Sequence, residues 1–148
     1  MSKLPKRSLP LVLVPALLWT LGSRPPAEQF TATLDGASEV PAVETKATGT
    51  ATVTIDGHEL SWHLEVSGLD NATMAHIHGA ASGENGGVLV PLFREEKGPG
   101  FSGVLSEGHA TVEDAVIEAI RAGNAYVNVH TESNPRGEIR GQLHAAGM

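Results

Sequence analysis

Thr48-Gly49-Thr50-Ala51-Thr52-Val53-Thr54-Ile55-Asp56-Gly57-His58-Glu59-Leu60-Ser61-Trp62-His63-Leu64-Glu65-Val66 decides the fold class. Its first half alternates and is rich in β-branched residues, as a half-buried strand requires. Asp56-Gly57 is the dipeptide that supplies positive φ angles to a two-residue hairpin turn. The return strand places Leu60, Trp62, Leu64 and Val66 on one face and Ser61, His63 and Glu65 on the other. Working outward, Phe30, Ala32 and Leu34 alternate with Thr31, Thr33 and Asp35 in a further strand, and residues 36–46 with Pro41 read as a loop. Strands are expected over 73–79 and 88–93, the latter at an edge or bulge because Pro91 cannot donate to a ladder. A strand pair follows at 101–105 and 109–111, and two last strands at 125–131 and 138–143. One helix interrupts them: Thr111 and Asp114 resemble a capping box, Val112, Val116 and Ile120 share a face, and Gly123 stops it. About eight short strands with one short helix predict an all-β, antiparallel Greek-key sandwich or barrel.

The 148 residues suit one domain that can bury a core without staples. The absence of cysteine excludes disulfides, thiolate metal sites and thiol nucleophiles. Lys3, Lys6 and Arg7 precede an apolar stretch over residues 9–21, shorter than the about 20 residues a membrane span needs and broken by Pro10 and Pro15. Residues 1–23 therefore read as a signal peptide, 24–28 as a linker and 29–144 as the domain. No clean small-residue cleavage site is present, so uncleaved anchoring stays open; processing would leave no integral membrane segment. The expected location is periplasmic or extracellular. Without the basic leader, seven basic side chains face 17 acidic ones, a net charge of −10. That balance argues against nucleic acid and anionic lipid and favours cations.

Seven histidines against one tyrosine is an unusual ratio. His76-Ile77-His78 sits in a strand pattern, where residues two apart point to one side about 6.6 to 6.8 Å apart. Imidazoles at that spacing can converge on one metal, with Ile77 in the core and Met74 on the ligand side as a candidate thioether. In 125–130, Val127 and Val129 form the apolar face, leaving Tyr126, Asn128 and His130 on the other. In 138–144, Ile139 and Leu143 face inward, and Glu138, Arg140, Gln142 and His144 face out. If these strands are neighbours, His76, His78 and His130 form a three-imidazole surface site, with Asn128, Tyr126 and Glu138 around it and Arg140 beside it to attract anions. Three imidazoles with a methionine lean towards copper; a carboxylate as fourth ligand would lean towards zinc. His58, His63, His109 and His144 read as surface residues. Alternatively His76 and His78 are solvated surface histidines, and Glu138 and Arg140 an exposed ion pair worth about 0 to 1 kcal/mol.

The segments Ala75-His76-Ile77-His78-Gly79, Tyr126-Val127-Asn128-Val129-His130-Thr131 and Asn134-Pro135-Arg136-Gly137-Glu138-Ile139-Arg140-Gly141-Gln142-Leu143 resemble those of the CHRD domain family, named after chordin. Phe30-Thr31-Ala32-Thr33-Leu34, Glu39-Val40-Pro41 and Gly49-Thr50-Ala51 extend the likeness over residues 29–143. The resemblance implies an extracellular β-domain whose biochemical role is mostly undefined. A looser likeness is to copper-zinc superoxide dismutases, β-barrels with an H-x-H pair, a distant histidine and an arginine near copper. It implies His76, His78 and His130 as copper ligands and Arg140 as anion guide, but a bridging histidine, a zinc loop and a disulfide are missing. Three functions compete: an exported copper-binding protein for buffering, delivery or tolerance; a copper-only dismutase-like enzyme; and a non-catalytic interaction module with an unknown protein partner.

Overall fold

The computed structural model describes residues 22–147, together with Ser2. The candidate signal peptide lies, but for Ser2 and its last two residues, outside the described residues. Nine strands and one helix follow in the order β1 (Glu28–Leu34), β2 (Thr48–Asp56), β3 (Glu59–Leu69), β4 (Ala72–His78), β5 (Val88–Phe93), β6 (Phe101–Thr111), α1 (Asp114–Arg121), β7 (Tyr126–Thr131), β8 (Ile139–Gln142) and β9 (His144–Ala145). They form two antiparallel sheets, one of order β6-β3-β2-β1-β9 and one of order β5-β4-β7-β8. The non-consecutive neighbours β3–β6 and β4–β7 are Greek-key crossovers, so the expected all-β sandwich is the observed one.

The hairpin that fixed the fold class is present in register, Ile55 opposite Leu60 and Val53 opposite Trp62, with Gly57 at φ 64°. The alternation of β1 to β3 sends Phe30, Leu34, Val53, Ile55, Leu60 and Leu64 into the space between the sheets. Ile77, Val127, Val129 and Ile139 meet them from the other sheet, all fully buried. Each such aliphatic side chain contributes roughly 1.5–3 kcal/mol relative to exposure. The sheets join along one edge, where Asp35 and Arg140 exchange backbone hydrogen bonds of 3.1 and 3.0 Å. Gly141 permits that approach, because a Cβ there would stand 2.3 Å from the Thr33 carbonyl oxygen.

Three expectations need correction. Residues 101–111 form one continuous strand rather than a pair, and Gly108 lies within it. It makes room for the Trp62 ring, whose Nε1 donates to Ser106 Oγ at 2.9 Å, and a Cβ at Gly108 would come within 2.5 Å of that ring. The ladder absorbs one extra residue, Leu105, as a bulge. The helix has no capping box: Thr111 ends β6, and Glu113 occupies the cap position without a side-chain bond. Its buried residues are Ile117 and Ile120, with Val112 before its first turn, while Gly123 at φ 75° does end it.

The third correction concerns the outer face of the β5-β4-β7-β8 sheet. Glu138, Asn128, Tyr126 and Arg140 were expected to face solvent, yet every residue of β7 is buried and Arg140 is 2% exposed. Loops 36–46, 80–87 and 132–137 roof this face, held there by hydrogen bonds to its side chains. Of the residues placed outward on the last strand, His144 alone is well exposed, and it belongs to β9 on the other sheet. The molecule thus has a dry apolar layer between its sheets and a second, polar layer under the loops.

Candidate metal centre

The polar layer takes its order from the β4/β7/β8 register. Met74 lies opposite His130, His76 opposite Asn128, and His78 opposite Tyr126; Asn128 in turn lies opposite Arg140. Opposed residues of a ladder share a face, so the three histidines meet on the loop-covered side. Their ring nitrogens include one donor atom from each residue, all within 4.8 Å of one another. Ring centroids lie 5.0 to 5.8 Å apart. The expected meeting of His76, His78 and His130 is therefore observed, but in a roofed layer, not on an open surface: His130 is 7% exposed and the other two are half-buried.

Backbone carbonyls orient two of the rings. His78 Nδ1 donates to the Gly86 carbonyl at 3.0 Å, and His130 Nδ1 to the Pro135 carbonyl at 3.0 Å. Each neutral ring then carries its lone pair on Nε2. His78 Nε2 is buried with no hydrogen-bond partner. His130 Nε2 stands 3.1 Å from His76 Nδ1, which must donate the proton of that bond. Burial holds all three rings neutral. It pushes His76 down to about 4, helped by the neighbouring His130 and His78 and by Arg94. Burial also lowers His78 and His130, against the opposing hydrogen bonds to Gly86 and Pro135. Neutral imidazoles with fixed lone pairs are the form a metal takes. Donors around a tetrahedral ion at about 2.0 to 2.1 Å stand roughly 3.3 Å apart, so closure needs ring movements on the order of 1 Å.

The surrounding residues have definite tasks. Tyr126 stacks on His78, with centroids 5.1 Å apart and planes at 7°. Its hydroxyl accepts from Gly86 N at 3.1 Å. The Arg140 guanidinium lies 3.5 Å over the same phenol ring and donates to Glu84 O at 2.7 Å and Asn85 Oδ1 at 3.1 Å. Arg140 thereby ties down the loop that carries the Gly86 carbonyl. Asn128 donates to Glu39, and Gly137, at φ 130°, lies against that pair. Glu138 makes no ion pair with Arg140; its carboxylate accepts from Thr45 and Thr131 hydroxyls at 2.7 and 2.6 Å. Met74 is half-buried on the ligand side.

Sequence reasoning missed Glu39 and the carbonyls of Gly86 and Pro135. Burial pushes the Glu39 carboxyl up to about 7, against the stabilising effects of Asn128 and Arg140. The glycines at 83, 86 and 87 and the Asn134-Pro135-Arg136-Gly137 turn were the available signals, but which carbonyl meets which ring is set by the loop paths.

Comparison with known proteins agrees with this architecture. The CHRD domain family matches residues 30–143. Chordin of Xenopus laevis is 36% identical over 131 residues, covering 79% of this chain and 13% of its own length. Chordin of Danio rerio is 37% identical over 120 residues, covering 75% of this chain and 12% of its own. The chain thus spans about an eighth of the length of these curated relatives. No solved structure matches it. With the family matched across both sheets and all three histidines, the chain belongs to the CHRD domain family.

Proposed function

We propose that this CHRD domain is an exported protein that binds one copper ion through His76, His78 and His130, for buffering or delivery of the metal. One observation carries the reading. Three imidazoles, all held neutral by burial, gather within 4.8 Å, and one of them keeps a buried Nε2 without a partner. Among the described residues no carboxylate joins the group. Glu39 is engaged by Asn128, and Glu138 by Thr45 and Thr131. Imidazole donors suit zinc and copper alike, and copper's place at the top of the divalent affinity order favours copper. Loading requires the His76 Nδ1 proton to leave the bond to His130, so that Nδ1 of His76 and Nε2 of His78 and His130 face the ion. Met74, across from His130, is the nearest candidate for an additional soft donor on that face.

Calorimetric titration with copper tests this directly. The purified protein is expected to take up one equivalent, and His76→Ala or His130→Ala to abolish it; unchanged uptake in those variants overturns the reading. A dismutase-like activity would need Arg140 to present its guanidinium to an anion, whereas its N–H groups are engaged by the 81–85 loop. That engagement favours a positioning role. The similarity to the chordins supports a second reading, an extracellular interaction module. For that reading, a chelator is expected to leave a partner complex intact, and dissociation on chelation would count against it.

A further inference from the structure

The affinity order that favours copper compares divalent ions, whereas the choice between copper(I) and copper(II) turns on charge and coordination number. All three donors are neutral imidazoles, and among the described residues no carboxylate joins them within the 4.8 Å that gathers the rings. Glu39 and Glu138, the buried carboxyls of the same polar layer, are engaged by Asn128 and by Thr45 and Thr131. The charged side chains that act on the rings are cationic. Arg94 acts on His76, and Arg140, whose guanidinium lies 3.5 Å over the Tyr126 ring that stacks on His78, acts on His78.

An ion entering this layer brings its charge into a roofed setting with no anionic donor. The Born cost of that transfer grows as the square of the charge, so copper(II) meets about four times the penalty of copper(I) at equal radius. Coordination points the same way. Copper(II) favours a tetragonal set of nitrogen and oxygen donors, but the rings supply only three, and His78 Nε2 is shut off from the water that would complete it. Copper(I) is soft, needs few donors and accepts a thioether. Met74 lies opposite His130 in the ladder and two residues before His76. Its Cβ therefore stands about 4.5–5.5 Å from that of His130 on the ligand face. The unbranched, freely rotating side chain suits the delivery of its sulfur to an ion there.

We infer that the centre is a copper(I) site, in which the three imidazoles hold the cuprous ion, Met74 closes its shell as a thioether and copper(II) is the disfavoured state. This rests on the copper reading. It makes the cuprous ion the cargo that the domain buffers or delivers. The roof then has a second task beside orienting the rings: by keeping water and carboxylates from the ion, it withholds the donors that copper(II) needs.

Competition titrations of the purified protein with each ion alone test this. Copper(I) is offered anaerobically with excess ascorbate against bicinchoninate, and copper(II) in air against nitrilotriacetate. Copper(I) is expected to bind at least about 100-fold more tightly, which places the midpoint potential of the bound couple about 120 mV or more above that of the hydrated ion. Met74→Leu, which keeps the apolar bulk and removes the sulfur, should weaken copper(I) at least about ten-fold more than copper(II). A smaller margin between the two ions, or a Met74→Leu protein whose affinity changes equally for both, overturns the inference and leaves the copper site standing. Uptake of neither ion overturns both.

Discussion

Six of the seven histidines fall into two sets of three, and the contrast shows how a fold assigns chemistry to one residue type. His58, His63 and His109 lie on or beside the exposed surface of the β6-β3-β2-β1-β9 sheet. Each has its own carboxylate partner: Asp114 at 2.8 Å, Glu107 at 2.5 Å and Glu59 at 2.6 Å. His76, His78 and His130 lie under the loops of the other sheet, with carbonyls and each other as partners and no carboxylate. The exposed rings have water and a carboxylate beside them. The roofed rings have neither: His130 Nε2 accepts from His76 Nδ1, and His78 Nε2 is buried without a partner. The setting of each ring follows from what covers it, not from the histidine count.

The largest expected effect separates the two sets by mutation. His76→Ala should weaken copper binding by at least about 100-fold, since the outer contacts alone tune affinity by 10–100-fold. His63→Ala and His109→Ala should leave it within about two-fold, as competition titration would show. Equal losses from both sets would erase the distinction.

Arg140→Lys sharpens the role of the roof. The ammonium keeps the charge but can neither lie flat on Tyr126 nor reach Asn85 and Glu84 as a fork. Copper affinity should fall about ten-fold at unchanged stoichiometry, with the loss arising through the Gly86 carbonyl and the tautomer of His78. An unaltered dissociation constant would remove Arg140 from the account.

Acid should act on the roofed set through stability. His76 is depressed from its ordinary 6.5 to about 4 in the folded state. Below 6.5 the unfolded chain takes up a proton that the folded ring refuses, so stability is full above 6.5 and is lost as pH falls towards 4. After allowance for solvent screening, the loss is on the order of 1–2 kcal/mol. Between pH 7 and pH 4.5, urea melts should show the wild type losing about 1–2 kcal/mol more than His76→Ala, and an equal change in the two proteins contradicts it.

Glu39 runs the other way. Its folded-state pKa is raised to about 7, so the unfolded chain releases its proton from 4.5 upward while the folded one retains it. Stability is therefore lost as pH rises from 4.5 through 7. Glu39→Gln keeps an oxygen for Asn128 to donate to and removes the ionisation. It should stabilise the protein by about 1–2 kcal/mol at pH 8 and have little effect at pH 4. A destabilised variant at pH 8 would show that the carboxyl is needed in its charged form.

The apolar layer was legible in the sequence because alternation has a fixed period. Leu60, Leu64, Ile77, Val127 and Ile139 could be placed inward from pattern alone. The parity that put His76, His78 and His130 on a common face was legible for the same reason. Residues without a period were not. The break expected between residues 105 and 109 is instead continuous strand, where Gly108 accommodates Trp62 from the neighbouring strand, a contact between positions 46 residues apart. Arg140 and Asn128 looked solvent-facing because strand alternation says which side a residue faces but not what covers that side. Loops 36–46, 80–87 and 132–137 converge only once the sheet order is fixed, so the roof, the orienting carbonyls and the raised Glu39 were beyond the reach of local pattern.

In copper-loaded crystals, anomalous diffraction should place one ion at about 2.0–2.1 Å from Nε2 of His78, Nε2 of His130 and a ring nitrogen of His76. An ion held instead by His58, His63 or His109, with His76 and His130 still bonded to each other, would contradict the three-histidine site.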